Sequence, residues 1–208
     1  MVGPGRPALR DLFDDAPTPL IGHPPRTHHL DYYLATDGSY REKGGGLGAV
    51  IETRDGLESD RLSRTDQSPD NNVAEYRALH LGLDVLASRI PPDASVGVLV
   101  DHVELARNIN SFSLQRRDPS GESPVSIAIP AGAERHWRGI QARLATIGEV
   151  RAARVDGSVN PAHPLANEPD AYTHLDHRPP RCLLPRASYQ RRAEVYPPPS
   201  RAREYSSD

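Results

Sequence analysis

The segment LDYYLATDGSY, residues 30–40, runs a short apolar strand into an aspartate and a glycine. Asp-Gly is common in turns, so Asp37 and Gly38 could simply end the strand. A carboxylate at this place can also serve a ligand, because ligands of open α/β sheets bind at the carboxyl ends of the strands. The rest of the chain has to decide between a turn and a ligand site.

Two further strands follow this segment. GLGAVIETR, residues 46–54, comes after a glycine-rich turn and has the apolar character of a buried strand. The Arg-Asp-Gly triplet at 54–56 is a hairpin signal, which makes residues 57–65 a third strand, antiparallel to the second. The beginning of the domain is therefore predicted to be a three-stranded antiparallel unit.

Helices and strands alternate in the next part of the chain. Apolar residues recur at spacings of three and four over 73–90, which predicts a helix, and a second long helix is predicted over 134–148. Residues 95–101 have the short apolar run of a buried parallel strand, and a short helix is expected at 102–110. With a last strand at 149–155, this order predicts an α/β fold with a mixed sheet.

Proline divides the chain into a folded middle and two tails. Twelve of the 21 prolines lie in residues 1–29 and 171–208, so both ends are expected to be disordered around a folded domain at 30–170. Residues 113–133 lack helical periodicity and are predicted to be an inserted loop, with a small strand at 125–129.

Composition excludes some classes of protein. No apolar run is long enough for a membrane span and no signal peptide is visible, so a cytoplasmic protein without membrane contact is expected. The net charge of −3 does not by itself indicate nucleic-acid binding. However, residues 171–208 contain seven arginines against four acidic residues, with tyrosines between them. This tail could contact nucleic acid by charge and stacking, or it could be only a solvated tail.

Three carboxylates are predicted to meet at one edge of the sheet. Asp37 and Asp101 end the first and fourth strands, and Glu75 lies at the start of the helix between them. Clustered carboxylates repel one another unless a cation holds them, so this grouping favours a divalent metal site. Each acid also has a structural alternative: a turn at Asp37, a capping arrangement between Asn72 and Glu75, and a helix cap at Asp101.

Four segments together resemble ribonuclease H type I. They are TDGSY…GGGLGAVI (36–51), DNNVAEYRALHLGLDVL (70–86), VGVLVDHVELARNIN (96–110) and NPAHPLAN (160–167), and they follow the order and spacing of that family over about residues 31–170. The Asn-Asn-x-Ala-Glu-Tyr part is the most specific. The resemblance implies an RNase H-like α/β fold with a five-stranded mixed sheet flanked by helices. It also implies an acidic site that binds two Mg²⁺ or Mn²⁺ ions with substrate and cleaves the RNA strand of an RNA–DNA hybrid.

The same resemblance implies individual roles. Asp37 matches the metal-bridging aspartate, and Glu75 and Asp101 match the second and third acids. The positions that match contacts to the minor groove of the hybrid are Gly38, Ser39, Asn71 and Asn72. Recognition through 2′-hydroxyls and groove shape would make cleavage independent of sequence. The chain is expected to act as a monomer.

The fourth acid of the family pattern is missing. Where the family has Asn-Pro-Ala-Asp, this chain reads Asn-Pro-Ala-His at 160–163. We hypothesise that His163 completes a weakened site that prefers Mn²⁺, because imidazole is a poor ligand for Mg²⁺. Asp156 in the preceding loop is an alternative replacement, whereas Asp170, seven residues on, would lie about 10.5 Å along an ideal helix and is too far. His163 could instead carry protons or face solvent.

Three functions remain open at this level. The first is a metal-dependent endonuclease acting on RNA–DNA hybrids. The second is a catalytically weakened or inactive nucleic-acid-binding module of the same fold, suggested by His163 and by the 113–133 segment. The third is another nuclease of this fold, such as an exonuclease or a strand-transfer enzyme. The fold alone does not choose among them, because function depends on the site.

Overall fold

A five-stranded mixed sheet is the centre of the molecule. The computed structural model describes residues 6–25, 28–42, 44–118 and 126–172. The strands are β1 (Tyr32–Ser39), β2 (Gly45–Thr53), β3 (Glu58–Asp66), β4 (Ser95–Val100) and β5 (Glu149–Arg154). Their order in the sheet is β3-β2-β1-β4-β5. Strand β2 is antiparallel to both of its neighbours, β1 and β3, and β4 is parallel to both of its neighbours, β1 and β5. The predicted mixed sheet is confirmed.

Helices cover both faces of this sheet. They are α1 (Leu9–Asp15), α2 (Asn71–Ala87), α3 (Val103–Arg117), α4 (Glu134–Leu144), α5 (His163–Asn167) and α6 (Pro169–Tyr172). One core contains residues of α2, α3 and α4, and the other contains residues of α1 and α5. None of the helices in these described ranges is long and apolar enough to cross a membrane.

Strand β1 contributes side chains to both cores. Leu34 belongs to the core under α2, whereas Tyr33 and Ala35 belong to the core under α1 and α5. This alternation is the two-residue period of a strand, and it explains why the segment reads as continuously apolar. Asp37 continues the strand and pairs with Gly48 of β2, so it is held by a central strand in which every residue except Tyr32 is buried.

The expectation of a disordered N-terminal segment at 1–29 is wrong for the residues that the structure describes. Leu9 and Phe13 of α1 are fully buried against the sheet. The amide of Leu9 donates to the Glu52 carboxylate over 2.7 Å, and Arg6 forms an ion pair with the same carboxylate. The proline content of this segment concealed a short helix whose apolar side chains cover an otherwise open sheet face.

The predicted insertion at 113–133 is also corrected. Helix α3 continues to Arg117, so the first five residues of that segment are helical. Its buried side chains include Asn108, Asn110, Ser111 and Ser113, which removes the apolar stripe by which a helix is recognised. Asn110 uses both ends of its amide on the backbone of Ala152 in the edge strand β5.

The predicted strand at 125–129 does not form in the part that the structure describes. Residues 126–130 have no regular structure, and the backbone of Ala128 is paired in both directions with the amide side chain of Asn108. A side chain therefore replaces the neighbouring strand. Residues 119–125 and the arginine-rich tail beyond 172 lie outside the described residues, as does the predicted tail contact with nucleic acid.

Candidate metal centre

Three carboxylates converge at one edge of the sheet. Asp37 lies in β1, Asp101 directly follows the parallel neighbour β4, and Glu75 is the fifth residue of α2. One carboxylate oxygen from each residue lies within 4.8 Å of the other two. Asp37 and Glu75 are buried, and Asp101 is partly exposed. The predicted convergence of these three residues is thus observed.

Glu75 reaches the sheet because α2 packs unusually close to β1 at Gly38. A Cβ atom at this glycine would lie 2.2 Å from the carbonyl carbon of Ala74 and 2.5 Å from the nitrogen of Glu75. A hydrogen bond from the Gly38 backbone to the Glu75 carboxylate accompanies this contact. Gly38 therefore has a packing role that fixes the position of Glu75, whatever else it contacts.

Neither Glu75 nor Asp101 is used as a helix cap. Helix α2 is capped by Asp70, whose carboxylate accepts from the amide of Val73 over 2.9 Å. Helix α3 is capped by the ring of His102, which accepts from the amide of Leu105. The structural alternatives that the sequence left open for these two acids are thereby removed.

The electrostatics of the group are unfavourable without a cation. Burial, followed by the charge of Asp101, raises the pKa of Asp37 to about 6, and His163 opposes this shift. Burial raises the pKa of Glu75 well above its usual range, and the charges of Asp101 and Asp37 add to this effect. One buried oxygen of Glu75, Oε2, has no hydrogen-bond partner among the described residues. An all-oxygen set with an orphaned buried oxygen fits Mg²⁺ or Mn²⁺.

His163, at the start of α5, contacts Asp37 but is not one of the three converging residues. Its Nδ1 lies 3.3 Å from Asp37 Oδ2, and its side chain is 48% exposed. The amide nitrogen of Asn167 lies 3.2 Å from the ring. His163 is therefore an exposed neighbour of the group.

The loop before α5 is tied to the central strand, and this places His163 at the site. Asn160 donates to the Thr36 carbonyl over 2.9 Å and accepts from the amide of Ala162. Gly48 allows close approach, since a Cβ there would lie 2.3 Å from the Ala162 carbonyl oxygen. The Asn-Pro-Ala-His segment is thus positioned mainly by its asparagine.

The remaining predicted site residues fall into two groups. Ser39 is buried, and its hydroxyl donates to the Ala166 carbonyl and accepts from the amide of Gly46, so it anchors α5. Asn71 and Asn72 are exposed at the start of α2, beside the carboxylates. His102 was not among the predicted site residues, and its Nε2 lies 3.0 Å from the side-chain oxygen Oδ1 of Asn72. Its place directly after Asp101 was the available signal.

We expect Glu75→Gln to raise the melting temperature of the metal-free protein at about pH 8, by about 3 °C or more. A raised pKa means that keeping Glu75 ionised in the folded state costs stability above that pKa. The gain should therefore shrink as the pH falls and the wild-type carboxyl becomes protonated. Calorimetry in a chelator measures the gain.

The same variant tests cation binding without an activity assay. Mn²⁺ should raise the melting temperature of the wild type but not that of Glu75→Gln, because binding to the folded state alone stabilises it. Glu42→Gln, at an exposed turn residue, is the matched control and should respond to Mn²⁺ like the wild type. A lower melting temperature for Glu75→Gln at about pH 8 would contradict the repulsion described above.

Comparisons with known proteins give structural similarity only. No protein-family model and no curated protein matches the chain. Among solved structures, a ribonuclease H domain from Mycobacterium tuberculosis has a TM-score of 0.52 at 23% identity, over 66% of this chain and 96% of that one. Ribonuclease H1 from Halobacterium salinarum has a TM-score of 0.52 at 19% identity, over 67% and 97%.

A third similar structure is a ribonuclease H1 isolated from compost by a metagenomic approach. Its TM-score is 0.54 at 22% identity, over 67% of this chain and 95% of that one. The same compost enzyme has been solved in complex with an RNA/DNA hybrid, and that structure has a TM-score of 0.50 at 23% identity. These similarities show that the chain has the fold of ribonuclease H type I domains, as its motifs predict.

Proposed function

We propose that this chain is a metal-dependent endonuclease that hydrolyses the RNA strand of RNA–DNA hybrids with two Mg²⁺ or Mn²⁺ ions. The observation that carries the proposal is the convergence of Asp37, Glu75 and Asp101 on a ribonuclease H fold, with an unpartnered buried oxygen on Glu75. The hybrid complex of the similar compost enzyme supports the choice of substrate. Burial of two of the three acids supports a cation as their charge partner.

The residues of the site have separable tasks in this mechanism. Bound divalent ions would lower the pKa of the attacking water and stabilise the leaving oxygen. Asp37 would hold the ions together with Glu75 and Asp101, because its charge interacts with both of them, and its Oδ2 also lies 3.3 Å from His163. Asn71 and Asn72 would hold the hybrid beside these acids. The side chains therefore hold ions and substrate, and no protein nucleophile is required.

A non-catalytic nucleic-acid-binding module is the second candidate, and a specific observation favours it. No fourth carboxylate of the described chain joins the group. Asp156 is exposed and accepts hydrogen bonds from Ser158 in its own loop, and Asp170 is exposed on α6. Neither aspartate replaces the missing acid, so the choice between the two functions depends on His163.

A cleavage assay decides between these candidates. The protein is incubated with a labelled RNA–DNA hybrid in Mg²⁺ and, separately, in Mn²⁺, beside single-stranded RNA and duplex RNA. Cleavage confined to the RNA strand of the hybrid supports the endonuclease. Binding of the hybrid without cleavage in either ion supports the binding module, and cleavage of the other substrates would contradict both.

We expect His163→Asp to increase cleavage in Mg²⁺ by about 10-fold or more, and cleavage in Mn²⁺ by less. A carboxylate restores one negative charge and an oxygen ligand beside Asp37, which Mg²⁺ prefers over imidazole nitrogen. His163→Asn is the matched control, since it supplies an oxygen without the charge. Unchanged cleavage in Mg²⁺ for His163→Asp would refute a role for His163 at the metal centre.

A further inference from the structure

The N-terminal ends of α2 and α3 are joined by one hydrogen bond beside the carboxylates. Nε2 of His102 lies 3.0 Å from Oδ1 of Asn72, and Nδ1 of the same ring lies 3.1 Å from the backbone nitrogen of Leu105. His102 directly follows Asp101, and Asn72 precedes Glu75 by three residues. The bond therefore connects the segments that hold two of the three acids.

The two hydrogen bonds of His102 determine which way each group points. Nδ1 accepts from the amide of Leu105, so the proton of the neutral ring is on Nε2. Nε2–H then donates to Oδ1 of Asn72. This fixes the Asn72 amide with its oxygen occupied and its NH₂ group free, because no described residue accepts from Nδ2 of this exposed side chain.

The imidazole is itself held in place by packing. The ring of Tyr76 lies edge-on to it, with centroids 6.4 Å apart. Tyr76 is fully buried, and its hydroxyl accepts from the amide of Asn108 over 2.7 Å. His102 is thus fixed by its helix cap on one side and by a rigid aromatic ring on the other, so the orientation of the Asn72 amide is set before any ligand arrives.

We propose that His102 is a positioning residue that presents the Asn72 amide to an RNA–DNA hybrid as a hydrogen-bond donor; this rests on the proposed function. Every base pair exposes acceptor atoms in its minor groove, purine N3 or pyrimidine O2, and the 2′-hydroxyl of RNA is an acceptor too. A fixed donor can therefore be used at any sequence. An amide that rotates freely would have to be oriented on binding, and this loss of side-chain freedom would weaken the affinity for the hybrid.

His102→Ser separates this role from helix capping. Serine is a preferred N-cap, so α3 keeps its cap, but the side chain is too short to reach Asn72. Binding is measured by fluorescence anisotropy with a labelled hybrid in metal-free buffer at low salt, for the wild type, His102→Ser, Asn72→Ala and the double variant. Melting temperature and helix content monitor the fold.

We expect His102→Ser and Asn72→Ala each to raise Kd by about 5-fold, and the double variant to bind no more weakly than Asn72→Ala alone. In the cleavage assay His102→Ser should raise KM with kcat retained, since the carboxylates are untouched. Wild-type affinity in His102→Ser, or additive losses in the double variant, would overturn the positioning role alone. A wild type that neither binds the hybrid nor cleaves it in Mg²⁺ or Mn²⁺ would overturn the proposed function as well.

Discussion

Asp37→Asn should lower cleavage of the RNA strand by about 10³-fold or more while the fold and hybrid binding persist. Asparagine keeps one oxygen ligand but loses the negative charge that would hold divalent ions at the site. Asp37 is the buried member of the group that also contacts His163, so no neighbouring carboxylate can take its place. The measurement is single-turnover cleavage of a labelled hybrid in Mn²⁺.

Whereas Asp37→Asn should lower cleavage, it should not weaken binding of the hybrid. Removal of a buried negative charge from the site lessens repulsion of the phosphate backbone, so Kd for the hybrid should be unchanged or lower. The assay is best run above about pH 7, because the pKa of Asp37 is raised to about 6 and its proton competes with the cation below that value.

Asp55→Asn is the matched control for this variant. Asp55 lies in the turn between β2 and β3, at the end of the sheet opposite to Asp37, and is exposed. The Asp55→Asn variant should cleave the hybrid like the wild type. If Asp37→Asn retained cleavage within about 10-fold of the wild type, the three-carboxylate site would not be the catalytic centre, and another part of the chain would have to carry the activity.

The acidic group was predictable from sequence because each acid is placed by a strong local pattern. Asp37 and Asp101 end short apolar runs that are typical of buried strands, and parallel strands bring their carboxyl ends to one edge. The spacing of the apolar residues in α2 predicts the helix itself, which the structure buries on almost every side, and Glu75 lies in its first turns. Short continuous apolar runs and apolar residues three and four apart are signals that a single sequence carries directly.

What the sequence could not show depends on contacts between distant segments. Nothing in the proline-containing stretch around α1 indicates that Phe13 packs on Tyr33, with ring centroids 5.6 Å apart. The length of α3 is concealed because four of its seven buried residues are polar, and two of these pair with the backbone of β5 and of the segment near Ala128. Such polar burial follows from the tertiary structure and leaves no periodic pattern.

The hydrogen bond between His102 and Asn72 is another contact between distant segments that the sequence could not show. Each residue has an ordinary local explanation, His102 as the residue before a helix and Asn72 as the second residue of another. The two residues form a pair only because the fold brings the N-terminal ends of α2 and α3 next to each other. A motif match could assign Asn72 to a substrate contact, but it could not indicate which end of its amide is available.

Gly38→Ala should destabilise the protein by about 3 kcal/mol or more. The added methyl carbon would lie 2.2 Å from the carbonyl carbon of Ala74 and 2.4 Å from its oxygen, and both are backbone atoms that cannot rotate away. Helix α2 would have to move off β1, and Glu75 would move with it. The measurement is urea-induced unfolding of the metal-free protein, without any nucleic acid. Gly22→Ala is the matched control, because a Cβ there has no atom within 4 Å, and it should change stability by less than about 0.5 kcal/mol.

This comparison also separates two explanations of Gly38 itself. The resemblance to ribonuclease H assigns this glycine to a hybrid contact, whereas the structure shows that the close approach of α2 to β1 requires glycine here in the absence of substrate. If packing is the reason, Gly38→Ala loses stability first, and its loss of cleavage follows from the displacement of Glu75. If Gly38→Ala instead unfolds at the wild-type urea concentration and only binds the hybrid more weakly, the packing explanation is wrong and the glycine serves the ligand. Because unfolding is measured without nucleic acid, the two results cannot be confused.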